Sequence, residues 1–540
     1  MSDLGFFFKF NIFFFKLKNF CRFYLNLVNY FFFPKKIYIF FFKIKKMFLN
    51  GQEGYILFDH FNNINFQLVR LIFLSVLAKF HNSKIICFNY KLNPFLKKIY
   101  DLLQIEIINS RKFVLDNKNT ILSHEIFNKI YKRIKNKDDI FNLKIFNLEV
   151  GIDIYESYLI KYKKPTLEVS DPEFKIFLFN SIKYLLFVKS VFKNYNIKAV
   201  NITHREYVDT NFFCRMAYKK NITVYTFSGE FDRISRYSNS KRDFCKHYRN
   251  FYSQLTNHEK TKAIILSKKR LYLRLSGKVG VDMNYSTKSA FVKSNNSHYV
   301  KEIKQTSKKI KIVICTHCFY DNPQAYDGNL FKDFYEWIVF LGKLSGKTNY
   351  EWFIKPHPDY LPGTIEIIKS IIKEYPKIKL LNPSTSFYAL KDMGINFALT
   401  VYGSVAHELP LLGINVINAD KNSPQSSFKF SYTPKNINDY YNVLKNLGSF
   451  KDLIKYKDEI YQFYYIHNFF LKKNIFFKNK KTFYKKYNEQ NKIFVKYFVG
   501  SMNLKNLKII ERTLYNFFET SYKYLSKNRA QKIVHKFCKI

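Results

Sequence analysis

The chain has 540 residues, of which 47% are hydrophobic, so it is globular and long enough for two domains with buried cores. Its seven cysteines, odd in number and scattered, exclude a disulfide framework and favour a reducing compartment. The formal net charge of +49 suits an anionic partner, but Lys accompanies 60 Phe and 42 Tyr throughout, a bias that A- and T-rich codons produce. The charge by itself therefore does not identify a nucleic-acid-binding protein.

Residues 1–50 form an aromatic and basic extension. The run from Phe6 to Phe15 is like the apolar core of a signal peptide, but Lys9 interrupts it and no small-residue cleavage site follows. The lysines leave no uninterrupted apolar stretch of about 18 residues, which a transmembrane helix needs. We expect the extension to lie in the interface of an anionic membrane, the alternative being a loosely packed tail.

Residues 51–300 predict a first α/β domain and its connection to a second domain. Short apolar runs alternate with longer amphipathic runs, as in βαβ units. The predicted strands are Tyr55 to Phe58, Lys84 to Phe88, Ile105 to Ile108, Lys198 to Thr203 and Ile222 to Phe227, with helices from Phe66 to Phe80 and Asp209 to Lys219. Ser235 to Lys309 is rich in Lys and Ser without clear periodicity, so we expect surface loops there.

Two polar side chains of this domain follow predicted strands where they end. Asp59 comes after the first strand and His204 after the fourth. Both are candidates for general-base work, and the His204 segment also suits acceptor binding. The alternative for Asp59 is to cap the following helix.

Residues 301–447 predict a second α/β domain with a parallel sheet and right-handed crossovers. The predicted strands are Lys311 to Thr316, Trp352 to Lys355, Ile378 to Leu381, Asn396 to Val401 and Asn415 to Asn418. The predicted helices are Asn329 to Leu344, Thr364 to Tyr375, Phe387 to Lys391 and Val405 to Leu412. In such a sheet, ligands bind where the strands end.

The motif Lys355-Pro-His357-Pro358 follows the second strand of this domain. The prolines fix the backbone around His357 and keep its neighbours out of a helix, so the imidazole stands on a stiff extended segment. The structural alternative is an ordinary His-Pro turn.

The turn at Gly403 and Ser404 follows the fourth strand and reads as an anion site. Gly403 allows close backbone approach, and Ser404 is a good N-cap for the next helix. Glu408, one helical turn further, offers acceptors for a ribose diol. Together with His357, these residues predict a nucleotide site, although Gly-Ser before a helix can also be only a cap.

One Cys-x-x-Cys pair, Cys315 and Cys318, surrounds His317. It would suit a redox site or half of a zinc site, but no second pair lies at a useful spacing. We expect no bound metal.

These motifs support a resemblance to known families. The two α/β halves, the Lys-Pro-His-Pro motif, Gly-Ser, Glu408 and the strand that begins at Gly413 resemble glycosyltransferases of the two-domain GT-B architecture. The segment Thr316 to Asp321, leading to Phe331-Lys-Asp333, most resembles bacterial capsule polysaccharide biosynthesis proteins, which include transferases of Kdo and related sugars. The resemblance covers roughly residues 310–420 and is thin before them.

The resemblance implies an α/β fold of two Rossmann-like domains facing a cleft, with basic aromatic extensions at both ends. A CMP-sugar or other nucleotide-sugar donor would lie on the second domain, with His357 and Ser404 near its phosphate and Glu408 near its ribose. Lys355 or His317 would stabilise the departing phosphate. Because no Asp-x-Asp pair adjoins the motifs, transfer is expected to need neither metal nor other cofactor.

The base is the least determined assignment. Asp321 comes first, because it follows a strand and is expected to pair with His317. The alternative for Asp321 is a turn-forming residue before Pro323, and His204 and Asp59 are the other candidates.

Residues 448–540 mix Lys with Phe and Tyr at roughly helical spacing. Such a region can stack on single-stranded nucleic acid, pack onto the first domain or dock on anionic lipid. Because the implied acceptor is a polysaccharide or lipid-linked glycan at a membrane, we expect packing and lipid docking, in the cytoplasm at the inner face of the plasma membrane.

Two other functions stay open. A nucleotide-sugar epimerase or polyol-phosphate transferase of similar fold would share the His-Pro and Gly-Ser features. A nucleic-acid-binding protein rests on charge alone, and we do not expect a nucleic-acid partner.

Overall fold

The computed structural model describes residues 35–49, 51–88, 94–228, 231, 233–282, 286–292, 308–473, 475–476, 494, 498–499 and 502–538. Most of the predicted N-terminal extension, residues 1–34, lies outside this set. The described strands are, in chain order, β1 (Tyr55–Asp59), β2 (Lys84–Phe88), β3 (Glu106–Ile108), β4 (Lys144–Ile145), β5 (Leu148–Glu149), β6 (Ile197–Asn201), β7 (Thr223–Phe227), β8 (Ile234–Tyr237), β9 (Lys311–Cys315), β10 (Glu351–Lys355), β11 (Ile378–Leu380), β12 (Phe397–Thr400), β13 (Asn415–Asn418) and β14 (Tyr524–Leu525).

The α-helices surround two sheets and also form the terminal parts of the described chain. They are α1 (Lys35–Phe48), α2 (Ile64–Phe80), α3 (Pro94–Leu102), α4 (Ser110–Leu115), α5 (Asn117–Tyr131), α6 (Lys137–Phe141), α7 (Gly151–Tyr162), α8 (Pro172–Asn194), α9 (Tyr207–Lys219), α10 (Tyr248–Ser253), α11 (Asn257–Leu275), α12 (Phe334–Gly346), α13 (Thr364–Glu374), α14 (Phe387–Asp392), α15 (Val405–Glu408), α16 (Ile437–Lys445), α17 (Asp458–Tyr465), α18 (Leu504–Phe518) and α19 (Asn528–Phe537). Shorter helical turns are Asp243–His247, Leu409–Leu412, Leu447–Ser449, Ile454–Tyr456 and Ile466–Phe470.

The first sheet has seven strands in the order β14-β8-β7-β6-β1-β2-β3. The five from β7 to β3 are parallel, and β8 and β14 extend the edge in antiparallel fashion. β1 begins a βαβ unit as predicted, because its apolar run is followed by α2, whose side chains are almost all buried. α2 starts at Ile64 with Asn63 as its cap, so the alternative that Asp59 caps this helix is wrong.

The second sheet has five parallel strands in the order β11-β10-β9-β12-β13. Every residue of β9 and β12 is buried, as expected for central strands that are covered by helices on both faces. The prediction of two parallel α/β halves is therefore confirmed, with strand positions within about two residues of those observed.

The connection between the halves differs from the prediction. Instead of surface loops alone, it contains β8, α10 and the 19-residue helix α11. Thr256 and Glu259 form a capping box at the start of α11. The buried face of this helix consists of Ala263, Ser267 and Leu271, a narrow stripe of mostly small side chains.

Both terminal regions pack onto the first domain. α1 buries Ile37, Phe41 and Ile44 among side chains of the core that also contains α2 and α3. α18 packs against α2, and β14 joins the edge of the first sheet. Among the described helices, none is long and apolar enough to cross a bilayer.

Candidate functional site

The second sheet has its topological switch point at β9. β10 and β11 lie on one side of this strand, and β12 and β13 lie on the other. Ligands of open α/β sheets bind in the crevice outside the carboxyl ends of the strands at such a point. His317, just after β9, and Thr400, at the end of β12, meet there with 3.2 Å between Nε2 and Oγ1.

The ring of His317 is fixed in this crevice. It stacks on Phe334 with 4.7 Å between ring centroids, and it contacts Tyr402 at 4.6 Å. Burial, and then the nearby His357, lower the pKa of His317 to about 3. The imidazole is therefore neutral at physiological pH and presents no positive charge to a phosphate.

Lys355 ends β10 beside this crevice. Its side chain is buried, and its Nζ donates to the carbonyl oxygens of Pro356 at 3.3 Å and Pro383 at 3.2 Å. Burial lowers the pKa of Lys355 to about 8. The ammonium thus holds two loops together. Its charge and its third N–H group are what it can offer to a ligand.

His357 stands at the surface between Lys355 and the partly buried Pro358. Its Nδ1 accepts a hydrogen bond from the backbone N–H of Asp359 at 3.1 Å. The proton of the neutral ring therefore lies on Nε2, so this N–H group can donate to a partner outside the loop. Partial burial and the Lys355 ammonium lower the pKa of His357.

Gly403 closes the turn after β12. Its N–H donates to Oγ1 of Thr400 at 3.2 Å, and a Cβ at this position would lie 2.7 Å from the same oxygen. Ser404 is exposed, and the prediction that it caps the following helix is wrong, because its side chain makes no capping bond. The predicted helix from Val405 to Leu412 is one α-helical turn followed by a 3₁₀ turn, so its dipole is weaker than expected.

Glu408 lies on the same turn, and its side chain is 1% exposed. Its Oε1 accepts a hydrogen bond from Nε of Arg274 in α11 at 2.9 Å. Its Oε2 makes no hydrogen bond of normal geometry among the described residues, although the Ser404 hydroxyl is close enough to lower the pKa of Glu408. Burial raises the pKa of Glu408, and the Arg274 guanidinium opposes this shift.

The loop after β13 adds polar groups that the sequence reasoning missed. Gln425 donates to the carbonyl oxygen of Gly403 at 3.4 Å, which places this loop beside the Gly403 turn. In the described part of the chain, Oδ2 of Asp420, Oε1 of Gln425 and the hydroxyls of Ser423 and Ser426 are buried without a partner. Burial raises the pKa of Asp420 to about 7. The available signal for Asp420 was a polar residue two positions past the end of a strand.

Unpartnered buried polar atoms cost about 1–3 kcal/mol each. Five such oxygen atoms, those of Glu408, Asp420, Ser423, Gln425 and Ser426, belong to the two loops that follow β12 and β13. These oxygens are closed to solvent, so a ligand rich in hydroxyl groups would donate to them only after the two loops open.

The first sheet has its own switch point, between β1 and β6, and a side chain of the protein fills it. Arg70 of α2 pairs with Asp59 at 2.6 Å and donates to the side chain and backbone of Asn201. Asp59 also accepts hydrogen bonds from the backbone and hydroxyl of Thr203. Asp59 is therefore committed to a buried ion pair that ties β1, β6 and α2 together.

Asp321 lies on the loop after β9 and is exposed. It accepts a hydrogen bond from the hydroxyl of Tyr207, at the start of α9, at 2.8 Å. The expected pair of Asp321 with His317 is absent from the described contacts, because His317 turns into the crevice and bonds Thr400 instead. Asp321 joins the two domains at the surface.

His204 is exposed on the first domain, with its ring 6.1 Å from that of Phe61. It follows β6, and Asp59 follows the neighbouring strand β1, but the structure gives the two residues different environments. His204 keeps an accessible ring, whereas Asp59 is buried.

Glu156 of α7 is a second group that the sequence reasoning missed. It is buried and accepts a hydrogen bond from the backbone N–H of Gln324, on the loop after β9, at 2.7 Å. Burial raises its pKa to about 8. No motif marks this residue, because its partner lies far away in sequence.

The chain has distant similarity to solved structures. No family model and no curated protein matches the sequence. Among solved structures, the UDP-GlcNAc 2-epimerase of Neisseria meningitidis is 11% identical over 77% of this chain and 96% of its own, with a TM-score of 0.23. A glycosyltransferase of Rickettsia africae is 11% identical over 77% and 94%, with a TM-score of 0.25. The S. aureus MnaA–UDP complex is 12% identical over 83% and 98%, with a TM-score of 0.26.

Proposed function

We propose that the protein is a glycosyltransferase that moves a sugar from a nucleotide-sugar donor to a growing capsule or surface polysaccharide, or to a glycolipid acceptor. The observation that carries this proposal is one cluster at the carboxyl edge of the second sheet. His317, His357, the Gly403 turn and Glu408 come from separate segments and meet around its switch point. The corresponding crevice of the first sheet is filled by Arg70.

The donor's phosphate would lie against His357, whose Nε2–H is free of the loop that holds Nδ1. Lys355 adds a nearby positive charge, which favours the phosphate as it departs. Thr400 supports the turn from below by bonding both His317 and the N–H of Gly403. His317 is thus a positioning residue in this mechanism, since its neutral ring orients the site.

The hydroxyl groups of the ribose and the sugar would donate to the oxygens beside the Gly403 turn once the loops that cover these oxygens open. Oε2 of Glu408 and Oδ2 of Asp420 are the two carboxylate oxygens without a partner among the described residues. Arg274 holds the other oxygen of Glu408 and so fixes the direction of the carboxylate. A carboxylate held in one direction favours one arrangement of hydroxyl groups over another, which is what discrimination between sugars requires.

The acceptor hydroxyl must lose a proton during transfer. Asp321 stays our first candidate, because it is exposed at the contact between the domains, where Tyr207 orients it. His204 is the second candidate. Asp59 has no place in the mechanism, since its ionised form already neutralises Arg70 inside the first domain.

Peripheral binding to the inner face of the plasma membrane is part of the proposal. α1 exposes Tyr38, Ile39 and Phe42 beside Lys43 and Lys46. Aromatic side chains and lysines on one helix face suit the headgroup region of an anionic bilayer.

α18 carries a similar outer face, with exposed Leu504, Lys505, Lys508 and Ile509. Both helices pack on α2, so the two faces belong to the same side of the first domain. A membrane-linked acceptor would then be close to the first domain.

Thermal-shift titration with CMP, CDP, UDP and GDP tests the donor site. We expect one nucleotide to raise the Tm, and His357→Ala to remove most of this effect through the loss of a charge-assisted hydrogen bond of about 1.5–3 kcal/mol. His258→Ala is the matched control, because His258 is exposed on α11. No stabilisation by any nucleotide, or equal stabilisation of the His357 variant, would contradict the site.

Product analysis with a labelled donor separates transfer from the alternatives. A transferase needs an acceptor to move the label, whereas an epimerase changes the donor without one. Conversion of the donor in the absence of any acceptor would replace the proposal by epimerisation at the same site.

A further inference from the structure

A second cavity, of about 360 Å³, lies in the first domain away from the site just described. It is bordered by the β4–β5 hairpin, the start of α7 and one side of α9. Asp327 from the second domain closes part of it. Three of its lining residues are arginines, namely Arg205, Arg215 and Arg242. None of them takes part in the proposed donor site.

Two of these arginines already have carboxylate partners. Arg215 forms a two-point ion pair with the buried Asp153. Arg242 lies 3.4 Å from Glu206 and 3.8 Å from Asp327. Their charges are therefore largely compensated within the protein.

Arg205 differs from the other two. Its guanidinium lies 3.6 Å from the ring centroid of Tyr237 and donates to the hydroxyl of Tyr218 at 3.2 Å and the carbonyl of Asn239 at 3.3 Å. Its described contacts include no carboxylate. A guanidinium held this close to an aromatic ring has little freedom to turn, and its fork of N–H donors matches the two oxygens of a carboxylate or phosphate.

The remaining lining is mixed. Phe141, Leu143 and Ile152 are apolar, and Lys144 and Glu149 form an exposed ion pair with 3.1 Å between Nζ and Oε1. Asn142, Asn211 and Ser240 offer amide and hydroxyl groups around the arginines. At the start of α7, no side chain caps the first N–H groups, and Gly151 lines the cavity there. The size falls within the range of small-molecule sites, and the lining suits hydroxyl groups as well as an anion.

We propose that this cavity binds an anionic sugar, whose carboxylate or phosphate pairs with Arg205 while its hydroxyls contact the polar side chains. The binding itself is independent of the donor site. Its assignment to an acidic unit of the acceptor rests on the proposed function.

The loop that carries Asp327 connects the two places. Asn422, beside the donor site, donates to the carbonyl oxygens of Tyr326 at 3.1 Å and Asp327 at 3.1 Å. The ring of Tyr326 also contacts Tyr402 at 5.3 Å. A sugar in the cavity would therefore lie one loop away from the donor crevice, on the acceptor side.

Calorimetric titration of the full chain with glucuronate, glucose 6-phosphate and glucose tests the proposal. We expect at least one of the two anions to bind and neutral glucose not to bind. Binding of glucuronate alone identifies a carboxylate ligand, and binding of glucose 6-phosphate alone identifies a phosphate ligand. Failure of both anions, or equal binding of glucose, overturns the proposal.

Two variants locate the binding. Arg205→Gln should abolish it, whereas Arg111→Gln, at an exposed position outside the cavity, should not. Because Arg205 also packs on Tyr237, Ser240→Glu provides a second test at an exposed lining residue. Its new carboxylate should weaken the binding of the anion by about tenfold or more, and Ser240→Gln should leave it unchanged. Equal affinity of the Ser240→Glu and Ser240→Gln variants overturns the site.

Nucleotide stabilisation of the Ser240 variants separates this proposal from the proposed function. Sugar binding without any nucleotide effect would contradict the proposed transferase function and support the sugar site in the cavity. Nucleotide binding without sugar binding would support the donor site and contradict the sugar site in the cavity.

Discussion

Nε2 of His317 lies 3.2 Å from Oγ1 of Thr400, so that a single contact spans the switch point of the second sheet. The same hydroxyl oxygen accepts the N–H of Gly403 at 3.2 Å. Thr400 thus fixes both the position of the imidazole and the conformation of the Gly403 turn. At the corresponding switch point of the first sheet, the guanidinium of Arg70 pairs with Asp59. The two loops beside the second crevice hold five buried oxygen atoms without a partner among the described residues.

The first prediction concerns this hydroxyl. Thr400→Val removes the partner of His317 and of the Gly403 N–H while keeping the shape of the side chain. We expect nucleotide affinity to fall by about 1 kcal/mol, roughly fivefold, because the turn loses its support. Thr400→Ser keeps the hydroxyl and should bind normally in the same titration. Equal affinity of the Val and Ser variants would show that the hydroxyl does not organise the site.

The second prediction separates a structural role of Asp59 from a catalytic one. Asp59→Asn leaves Arg70 buried without a counter-charge, so the free energy of unfolding should fall by about 3–5 kcal/mol. The double variant Asp59→Asn, Arg70→Met should recover much of this loss, since both charges are gone. Denaturant unfolding of the three proteins measures it. A stable Asp59→Asn protein with no transferase activity would instead restore Asp59 as a base.

The sequence predicted the second domain well for a physical reason. β9, β10 and β12 are short Ile-, Val- and Phe-containing runs between amphipathic helices, so local pattern and tertiary burial agree. The hydrogen bond from Arg70 to Asn201 was out of reach, because the fold brings α2 and β6 together from parts of the chain 131 positions apart. Arg274 reaches Glu408 in the same way, across 134 positions.

α11 was missed because local pattern and burial disagree. Only Ala263, Ser267 and Leu271 of this helix are buried, so its apolar periodicity is faint. The capping box of Thr256 and Glu259 was the readable signal. A cap without a strong apolar stripe thus marks a helix that packs through small side chains.

The third prediction concerns the pH dependence of stability. Burial raises the pKa of Glu156 from 4.5 to about 8 in the folded protein. The folded state therefore keeps a proton that the unfolded state releases above pH 4.5, and stability is lost as the pH rises toward 8. Glu156→Gln imitates the protonated form, and its stability relative to the parent should grow by about 1.4 kcal/mol per pH unit in this window.

Thermal unfolding of both proteins between pH 5 and pH 8 measures this difference. Glu125→Gln is the control, because Glu125 is exposed on α5. The buried histidines have lowered pKa values, so their contribution to stability is lost as the pH falls. This contribution is the same in variant and parent, and it cancels in the difference between their stabilities. A difference that stays constant across the range would show that Glu156 ionises freely.

The last prediction tests membrane docking through the outer face of α1. Removal of residues 1–50 is a poor test, because it would also take Phe41 and Ile44 out of the core. Tyr38, Ile39 and Phe42 are 50%, 43% and 39% exposed and lie outside the buried core, so replacing them with Ser changes the outer face of α1. We expect the variant to fold normally and to lose sedimentation with phosphatidylglycerol vesicles.

The matched control replaces three exposed apolar residues on another part of the first domain, Leu115, Ile121 and Leu122, with Ser. Neutral phosphatidylcholine vesicles separate the contribution of the lysines, because charge attraction requires an anionic surface and weakens with salt. If α1 docks on lipid, the first triple variant alone fails to bind, and added salt weakens the parent. If both triple variants sediment like the parent, the membrane contact does not involve α1, and α18 becomes the face to substitute.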